Sequence, residues 1–244
     1  MKAIVSFGVY FAVAASSMAA SDASSFRAES SVAFTNHQRE SPTAFRSSGS
    51  KLQALGKPVC EYHQLSIPTS QPGPPCQKIS VEDVTPSIND LLSASGMKNG
   101  VVNVISRHTT TAITINERES RLARDIEKTY LSLIPPDERS HPSVAKAGIR
   151  YEHNDIDSRP ESEEEAQRCR DNGWKIDNKE DLQRWRDQEP INAHSHLISM
   201  MLGSSESIPV VDGAMVIGQW QSVLLVDLDG PRDRTVGIQL LGYQ

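Results

Sequence analysis

The chain has 244 residues, of which 37% are hydrophobic and 23% are charged, so it can form one large domain or two small ones with a substantial core. Its 25 basic and 31 acidic residues give a formal net charge of −6, which argues against a nucleic-acid-binding protein, because such proteins usually present a basic surface. Three cysteines without a CxxC spacing exclude a disulfide-rich scaffold and a thiolate zinc knuckle.

The N-terminus has the pattern of a targeting sequence. Met1 and Lys2 precede an uncharged apolar run at 3–15, and small residues follow, so we interpret 1–20 as a signal-like peptide for the secretory pathway. The alternative is a buried N-terminal strand or helix. Residues 21–56 are Ser-rich without periodicity, which predicts a disordered segment. Secretion or a plastid-type two-part targeting to an organelle would both fit, and no membrane span is predicted in the mature chain.

The remainder, 57–244, is predicted to be a single α+β domain, because strands cluster at both ends with helices between them and no βαβ alternation is seen. The predicted strands are 62–67, 76–80, 101–106, 109–115, 207–211, 214–226 and 235–241. The predicted helices are 81–93 after Ser80 as N-cap, one that opens at Asn116 or Ser120 and ends before Pro135, and 193–202 between Asn192 and Gly203. The highly charged stretch 157–190 is predicted to be a surface insertion with short helices.

Histidines carry the clearest chemical signal in the sequence, which contains no P-loop, GxGxxG, GxSxG or HExxH motif. The candidates are His108, His153 and His196, since neutral imidazole is a common metal ligand and an acid or base near pH 7. Three convergent imidazoles would bind zinc or a similar divalent metal and leave one position open. Alternatively, one imidazole acts as a general base that is oriented by Asp155 or Glu117.

The strand after His108 is predicted to present a polar face beside this histidine. If the strand is unbroken, one face carries His108, Thr110, Ala112, Thr114 and Asn116, which suits an anionic or hydroxylated ligand. His194 differs from the three candidates, because it lies about 200° from His196 around the helix and in line with an apolar stripe. We therefore predict that His194 is a core histidine or a helix cap.

Six segments, in this order, resemble the YjbQ family, also called UPF0047 or secondary thiamine-phosphate synthase enzymes. They are GMKNGVVNV at 96–104, HTTTAITINE at 108–117, YEHND at 151–155, NAHSHL at 192–197, LGSS at 202–205 and GQWQ at 218–221. The resemblance covers 57–244 and implies a compact α+β homotrimer whose histidine motifs share a cavity near a subunit boundary. It also implies a secondary activity that joins hydroxymethylpyrimidine diphosphate to thiazole phosphate and releases pyrophosphate.

The resemblance leads us to expect a small phosphorylated ligand at the three histidines. Thr110, Asn116, Ser204 and Ser205 would supply further contacts to it. A divalent ion on the histidines would neutralise the diphosphate, although magnesium prefers carboxylate oxygens and three imidazoles suit zinc better. Two alternatives use the same residues, namely a non-enzymatic trimer that binds a metal or small ligand, and a hydrolase with metal-bound water.

Three further expectations concern the insertion, a tryptophan and the cysteines. The insertion 157–190 departs from the shorter family members, and we expect it to decorate the surface rather than cover the cavity, because loop insertions usually lie at the surface. Trp220 is predicted to lie in a strand as a core or trimer-interface residue rather than a pyrimidine-stacking one. Cys76 is interpreted as a small buried group, with a Cys60–Cys76 disulfide as the alternative in an oxidising compartment.

Overall fold

Two antiparallel sheets form the framework of the computed structural model, which describes residues 56–70 and 79–244. The strands are β1 (Pro58–Pro68), β2 (Ser80–Asp83), β3 (Asn99–Ser106), β4 (Thr111–Glu117), β5 (Ser205–Val211), β6 (Ala214–Met215), β7 (Gln221–Asp227) and β8 (Asp233–Tyr243). The helices are α1 (Thr85–Ser95), α2 (Ser120–Leu133), α3 (Glu163–Asp171), α4 (Lys179–Gln188) and α5 (Ala193–Leu202). The predicted targeting segment and Cys76 lie outside the described residues.

The strand order explains how the layers are arranged. The larger sheet has the order β1-β8-β3-β5-β6 and the smaller one has the order β2-β7-β4, with every pairing antiparallel. The main core contains residues of both sheets and of α1, while a second core joins the smaller sheet to α5 and α2. Successive residues of β4 therefore point in opposite directions, with Ile113 in the main core and Ala112 in the second core. The predicted α+β class is confirmed.

The prediction of a helix at 81–93 is wrong at its beginning. Val81 pairs with Val226, so the residues assigned to the first helical turn belong to β2 instead. Helix α1 begins at Thr85, whose N–H donates to the Asp83 carboxylate over 2.9 Å. Pro86 then occupies the first turn, where its missing N–H costs no intrahelical hydrogen bond.

The prediction of one strand at 214–226 is also wrong, because a turn separates β6 from β7. The Gln221 side chain accepts a hydrogen bond of 2.6 Å from the Gly218 N–H and so closes this turn on itself. Trp220 lies in the turn rather than in a strand, and 73% of its surface is exposed. It is therefore not a core residue of this chain.

Other boundaries follow the sequence closely. The bounds of α5 are confirmed, and Gly203 ends the helix with a positive φ of 89°. Helix α2 begins at Ser120, but its cap is Glu119, whose carboxylate accepts the N–H groups of the first turn. The side chain of Asn192 caps nothing and instead donates to Asp229 over 2.8 Å.

The insertion contains the expected short helices, α3 and α4, and has a small core of its own. Ala166, Ile176 and Trp185 are buried together between the two helices and the loop that joins them. Within the described residues, no helix is long and apolar enough to cross a membrane.

The main core makes a specific stability prediction at β4. Ile113 is fully buried between the sheets, so Ile113→Ala should lower the free energy of unfolding by about 3 kcal/mol through lost burial and a residual cavity. Urea denaturation measures this loss. The matched control is Ile105→Ala on β3, where the side chain is 44% exposed, and a similar loss for both variants would contradict the assigned layers.

Candidate functional site

Two of the three candidate histidines meet in the structure. His153 lies in a single 3-10 turn, Glu152–Asn154, and His196 lies in the first turn of α5. Their ring centroids are 4.8 Å apart with an interplanar angle of 66°, which is an edge-to-face contact. Residues more than 40 positions apart in the chain thus form one histidine pair, as the sequence analysis anticipated for these two side chains.

His108 lies beside this pair but is oriented by the backbone. It shares with His196 a cavity of about 550 Å³, here called the histidine cavity. The other lining residues are Ser106, Arg107, Thr109, Ser199, Met200, Gly203 and Ser204. The Nε2 atom of His108 accepts a hydrogen bond of 2.8 Å from the Thr235 N–H, so this nitrogen carries a lone pair and the proton of the neutral ring belongs on Nδ1.

The arrangement does not fit three imidazoles around one metal ion. The Nε2 lone pair of His108 is already occupied by the Thr235 N–H and does not point to an ion. Among residues 56–70 and 79–244, no group of three or more His, Cys, Asp or Glu side chains is placed to hold a metal. A zinc or magnesium ion on His108, His153 and His196 stays a prediction.

The four residues expected to contact a ligand are scattered. Ser204 lines the histidine cavity, and Ser205 follows it at the start of β5. Thr110 is buried, and its carbonyl accepts the Leu228 N–H over 3.0 Å. Asn116 lies at the far end of β4, exposed to solvent, and its side chain bonds the Glu117 N–H. The predicted polar face does not form as one strand face, because β4 begins at Thr111, after His108 and Thr110.

The environments of the histidines lower their pKa values. Burial lowers the pKa of His153, and the Arg159 guanidinium lowers it further. Burial also lowers the pKa of His196, with the neighbouring His153 ring as the second cause. For His108, burial and then the charge of Arg234 lower the pKa. All three imidazoles are therefore mainly neutral at pH 7, where each ring has one N–H donor and one acceptor nitrogen.

A buried carboxylate, which the sequence analysis did not identify, holds the turn that carries His153. The Asp137 side chain is fully buried and accepts hydrogen bonds from the Arg139 backbone and guanidinium at 2.8–2.9 Å. It also accepts the Tyr151 N–H at 2.9 Å and the Asn154 amide at 3.1 Å. Arg139 in turn donates to the carbonyls of Tyr151 and Asn154 at 3.0 Å. These bonds fix both ends of the His153 turn.

Asn154 connects this turn to α5. Its side-chain oxygen accepts the Ala193 N–H over 3.0 Å, at the beginning of the helix that carries His196. Asp137, Asn154 and Ala193 therefore form a continuous chain of hydrogen bonds between the two elements that present the histidine pair. The DER sequence at 137–139 gives no signal of this role, because Tyr151 and Asn154, the other partners of Asp137, lie 14 and 17 residues further along the chain.

His194 is buried, with 2% of its surface exposed, which confirms the prediction that it is a core histidine rather than part of an open site. A buried ion pair lies close to His108 on the other side. The Arg234 guanidinium contacts the Asp227 carboxylate, which also accepts the Thr69 hydroxyl over 2.7 Å. This pair supplies the positive charge that acts on His108.

The insertion forms a second cavity beside His153. This insertion cavity has a volume of about 360 Å³ and is lined by His153, Arg159, Pro160, Glu165, Arg168, Cys169, Asn172, Trp174, Trp185 and Glu189. His153 is one wall of this cavity, whereas no residue of 157–190 lines the histidine cavity. The expectation that the insertion decorates the surface rather than covers the histidine cavity stays a prediction. The other walls come from the insertion: α3 supplies Glu165, Arg168 and Cys169, α4 supplies Trp185, and the segments flanking the helices supply the rest.

The Asp137 network predicts a large loss of stability on mutation. Asp137→Ala would leave the Arg139 guanidinium without its buried partner, so the free energy of unfolding should fall by about 3 kcal/mol. Urea denaturation at pH 7 measures the change. Glu138→Ala is the control, because Glu138 is exposed and should change stability by less than about 1 kcal/mol.

Wild type and the Asp137→Ala variant also allow a test of the pH dependence of stability. Hydrogen bonds from Arg139 hold the pKa of Asp137 well below its ordinary value of 3.8. A lowered pKa in the folded state stabilises the protein above that ordinary value, and this stabilisation is lost as the pH falls below it. The gap in stability between wild type and Asp137→Ala should therefore narrow in acid, and a gap that stays constant would contradict the assignment.

Arg159 should control the protonation of His153. Replacing it in Arg159→Met removes a positive charge that lowers the pKa of His153, so that pKa should rise, and protonation should begin at a higher pH. Histidine NMR titration measures the change. Arg170→Gln is the control, since Arg170 pairs with Glu163 and Asp177 on the surface, and an equal rise in both variants would contradict a local effect.

Comparison with known proteins places the chain among relatives that share this domain. The family model described as UPF0047 protein YjbQ-like matches residues 75–243. A UPF0047 protein of Methanothermobacter thermautotrophicus is 33% identical over 166 residues, which cover 68% of this chain and 85% of the relative. A UPF0047 protein of Archaeoglobus fulgidus is 27% identical over 165 residues, covering 68% of this chain and 94% of the relative.

Solved structures have the same fold. A YbjQ-like protein of unknown function from Sulfolobus solfataricus P2 is 25% identical and superimposes with a TM-score of 0.54, covering 76% of this chain and 99% of its own. A hypothetical protein from Aeropyrum pernix K1 is 30% identical with a TM-score of 0.53, covering 75% of this chain and 99% of its own. On the family match over most of its folded region, the chain belongs to the YjbQ/UPF0047 family.

Proposed function

We propose that the protein is a transferase of the thiamine-phosphate synthase type, with the His153–His196 pair at its reaction centre. In this reaction the pyrimidine methylene carbon loses its bond to the diphosphate oxygen and gains a bond to the thiazole nitrogen. Pyrophosphate leaves with the electron pair of the broken bond. The family likeness suggests the reaction class, and the residues of this chain support it as follows.

The observation that carries the proposal is that the two touching histidines line two different cavities. His196 lines the histidine cavity and His153 lines the insertion cavity, while their rings touch at a centroid distance of 4.8 Å. A reaction that joins two molecules needs a place for each, with the reacting atoms brought together. One cavity beside each ring of the pair satisfies this requirement better than a single pocket would.

The histidine cavity has the chemistry to bind a phosphate. Arg107 brings a positive charge, and Thr109 and Ser204 bring hydroxyl groups to the same cavity. Charge-assisted and hydroxyl hydrogen bonds are the contacts that phosphate oxygens accept.

The neutral state of the histidine pair suits this chemistry. A thiazole nitrogen carries no proton, so its attack on carbon needs no general base. The neutral rings of His153 and His196, which touch each other, instead supply N–H donors to the leaving diphosphate. His108 is held by Thr235 and acts here as a wall of fixed orientation.

Neutral imidazoles also favour a second candidate function, a hydrolase. With a low pKa, His196 is available to accept a proton from water in the histidine cavity, as a general base does. The two functions share the residues but differ in products. Release of pyrophosphate without the thiazole phosphate identifies the hydrolase, whereas the transferase requires both substrates.

The proposal includes a homotrimer with the cavity near a subunit boundary. Met200 lines the histidine cavity although it is 82% exposed in the single chain, and Trp220 is 73% exposed. Large apolar side chains of this exposure are typical of surfaces that another subunit covers. Their burial by a neighbouring copy would also close the cavity to water.

The proposal is tested by measuring thiamine phosphate formation from the two phosphorylated substrates. His196→Ala should lower kcat/KM by about 100-fold, because the leaving group loses a preorganised donor. His141→Ala is the control, since His141 is exposed and lies outside both cavities. Turnover that survives in both His196→Ala and His108→Ala would contradict the role assigned to these histidines. Metal analysis of the same preparations tests the predicted divalent ion.

A further inference from the structure

The insertion cavity contains groups that the proposed chemistry at the histidine pair does not use. Arg168 is exposed at its edge and forms no ion pair with any described residue, unlike Arg159, which pairs with Glu189 at 2.9 Å. Arg159 is also held over the Trp185 ring, 5.5 Å from its centroid. One arginine of the cavity is thus committed to the protein, while Arg168 is available to a ligand.

The aromatic groups of the cavity divide in the same way. Trp185 is buried, with 4% of its surface exposed, and forms part of the small core of the insertion. Trp174 is 42% exposed and lines the cavity. A partly exposed indole in a cavity offers a face on which a planar ring stacks. Trp174 therefore favours a flat, aromatic ligand.

The remaining polar groups are hydrogen-bond acceptors for such a ring. The Glu165 carboxylate lines the cavity and uses one oxygen, Oε2, for the Glu161 N–H at 2.9 Å. The Asn172 amide donates its nitrogen to the Arg168 carbonyl at 2.9 Å and keeps its oxygen for another donor. Acceptors beside a stacking face match the exocyclic amino group of a heteroaromatic ring.

We propose that the insertion cavity binds a planar, amino-substituted heteroaromatic ring that carries a phosphate group. The ring stacks on Trp174, its amino group donates to Glu165 or Asn172, and its phosphate pairs with Arg168. His153 is one wall of this cavity and its ring touches that of His196, so the bound ligand lies next to the reaction centre. The proposal deepens the proposed function only by placing the amino-substituted substrate, and its binding is measurable without turnover.

Calorimetric titration of the full chain tests the site with three probes: hydroxymethylpyrimidine phosphate, cytidine 5′-monophosphate and inorganic phosphate. Both ring probes combine an amino-substituted pyrimidine ring with a phosphate. The probe with the lower Kd shows whether the site prefers a free pyrimidine or a nucleotide. We expect inorganic phosphate to bind at least about tenfold more weakly, because it cannot stack. Equal binding of inorganic phosphate, or no binding of either ring probe, would overturn the proposal.

Two variants assign the binding to this cavity. Arg168→Gln should raise the Kd of the tighter ring probe about tenfold, and Trp174→Leu should do the same. The matched control is Arg170→Gln, on the same helix but paired with Glu163 and Asp177 away from the cavity, and its Kd should stay within about twofold of wild type. An unchanged Kd in Arg168→Gln, or an equal rise in Arg170→Gln, would overturn the assignment.

Measuring probe binding separately from turnover distinguishes a failure of this proposal from a failure of the proposed function. His196→Ala lies outside the insertion cavity, so the variant should bind the ring probe with the wild-type Kd even when it no longer turns over substrate. A wild-type protein that binds the probe through Arg168 but forms no thiamine phosphate would support the cavity assignment and refute the transferase. Thiamine phosphate formation by the wild type, together with an unchanged Kd for the ring probe in Arg168→Gln, would support the transferase and refute the cavity assignment.

Discussion

The candidate site depends on one fully buried carboxylate. Asp137 accepts five hydrogen bonds from Arg139, Tyr151 and Asn154, and through them it holds the irregular turn that carries His153. Burying a charge is costly unless hydrogen bonds and a partner charge compensate it, and here both do. Because Asn154 also bonds the first N–H of α5, the position of His153 relative to His196 is set by the same network. A loop without regular structure is thereby made rigid where the proposed chemistry needs it.

Each histidine of the pair lines a different cavity. Beside His196, the end of β3, the loop that follows it and helix α5 form a cavity with hydroxyl groups and Arg107. Beside His153, the insertion forms a second cavity that contains tryptophans and Arg168. Burial lowers the pKa of both rings, so at neutral pH both imidazoles are uncharged and can form hydrogen bonds. Residues outside 157–190 line the first cavity, and all the walls of the second except His153 belong to the insertion.

The sequence predicted the parts of the structure that local rules determine. Apolar alternation and turn residues located most strands, and an apolar run before Gly203 located α5 with its correct ends. Local rules failed where tertiary contacts decide, as at Val81, where pairing with Val226 overrides a good helix-start pattern. The meeting of His153 with His196 was anticipated, whereas the orientation of His108 depends on a backbone N–H of β8 that no local pattern reveals. The role of Asp137 was missed for the same reason, since its partners are distributed over a loop.

The central claim is that the His153–His196 pair separates two binding sites whose ligands meet there. A crystal structure of the protein with a non-hydrolysable hydroxymethylpyrimidine diphosphate analogue and thiazole phosphate tests this most directly. The account predicts one ligand in the insertion cavity and the other in the histidine cavity, with the pyrimidine methylene and the thiazole nitrogen nearest to each other beside the two rings. Both ligands on the same side of the pair, or neither in contact with it, would contradict the account.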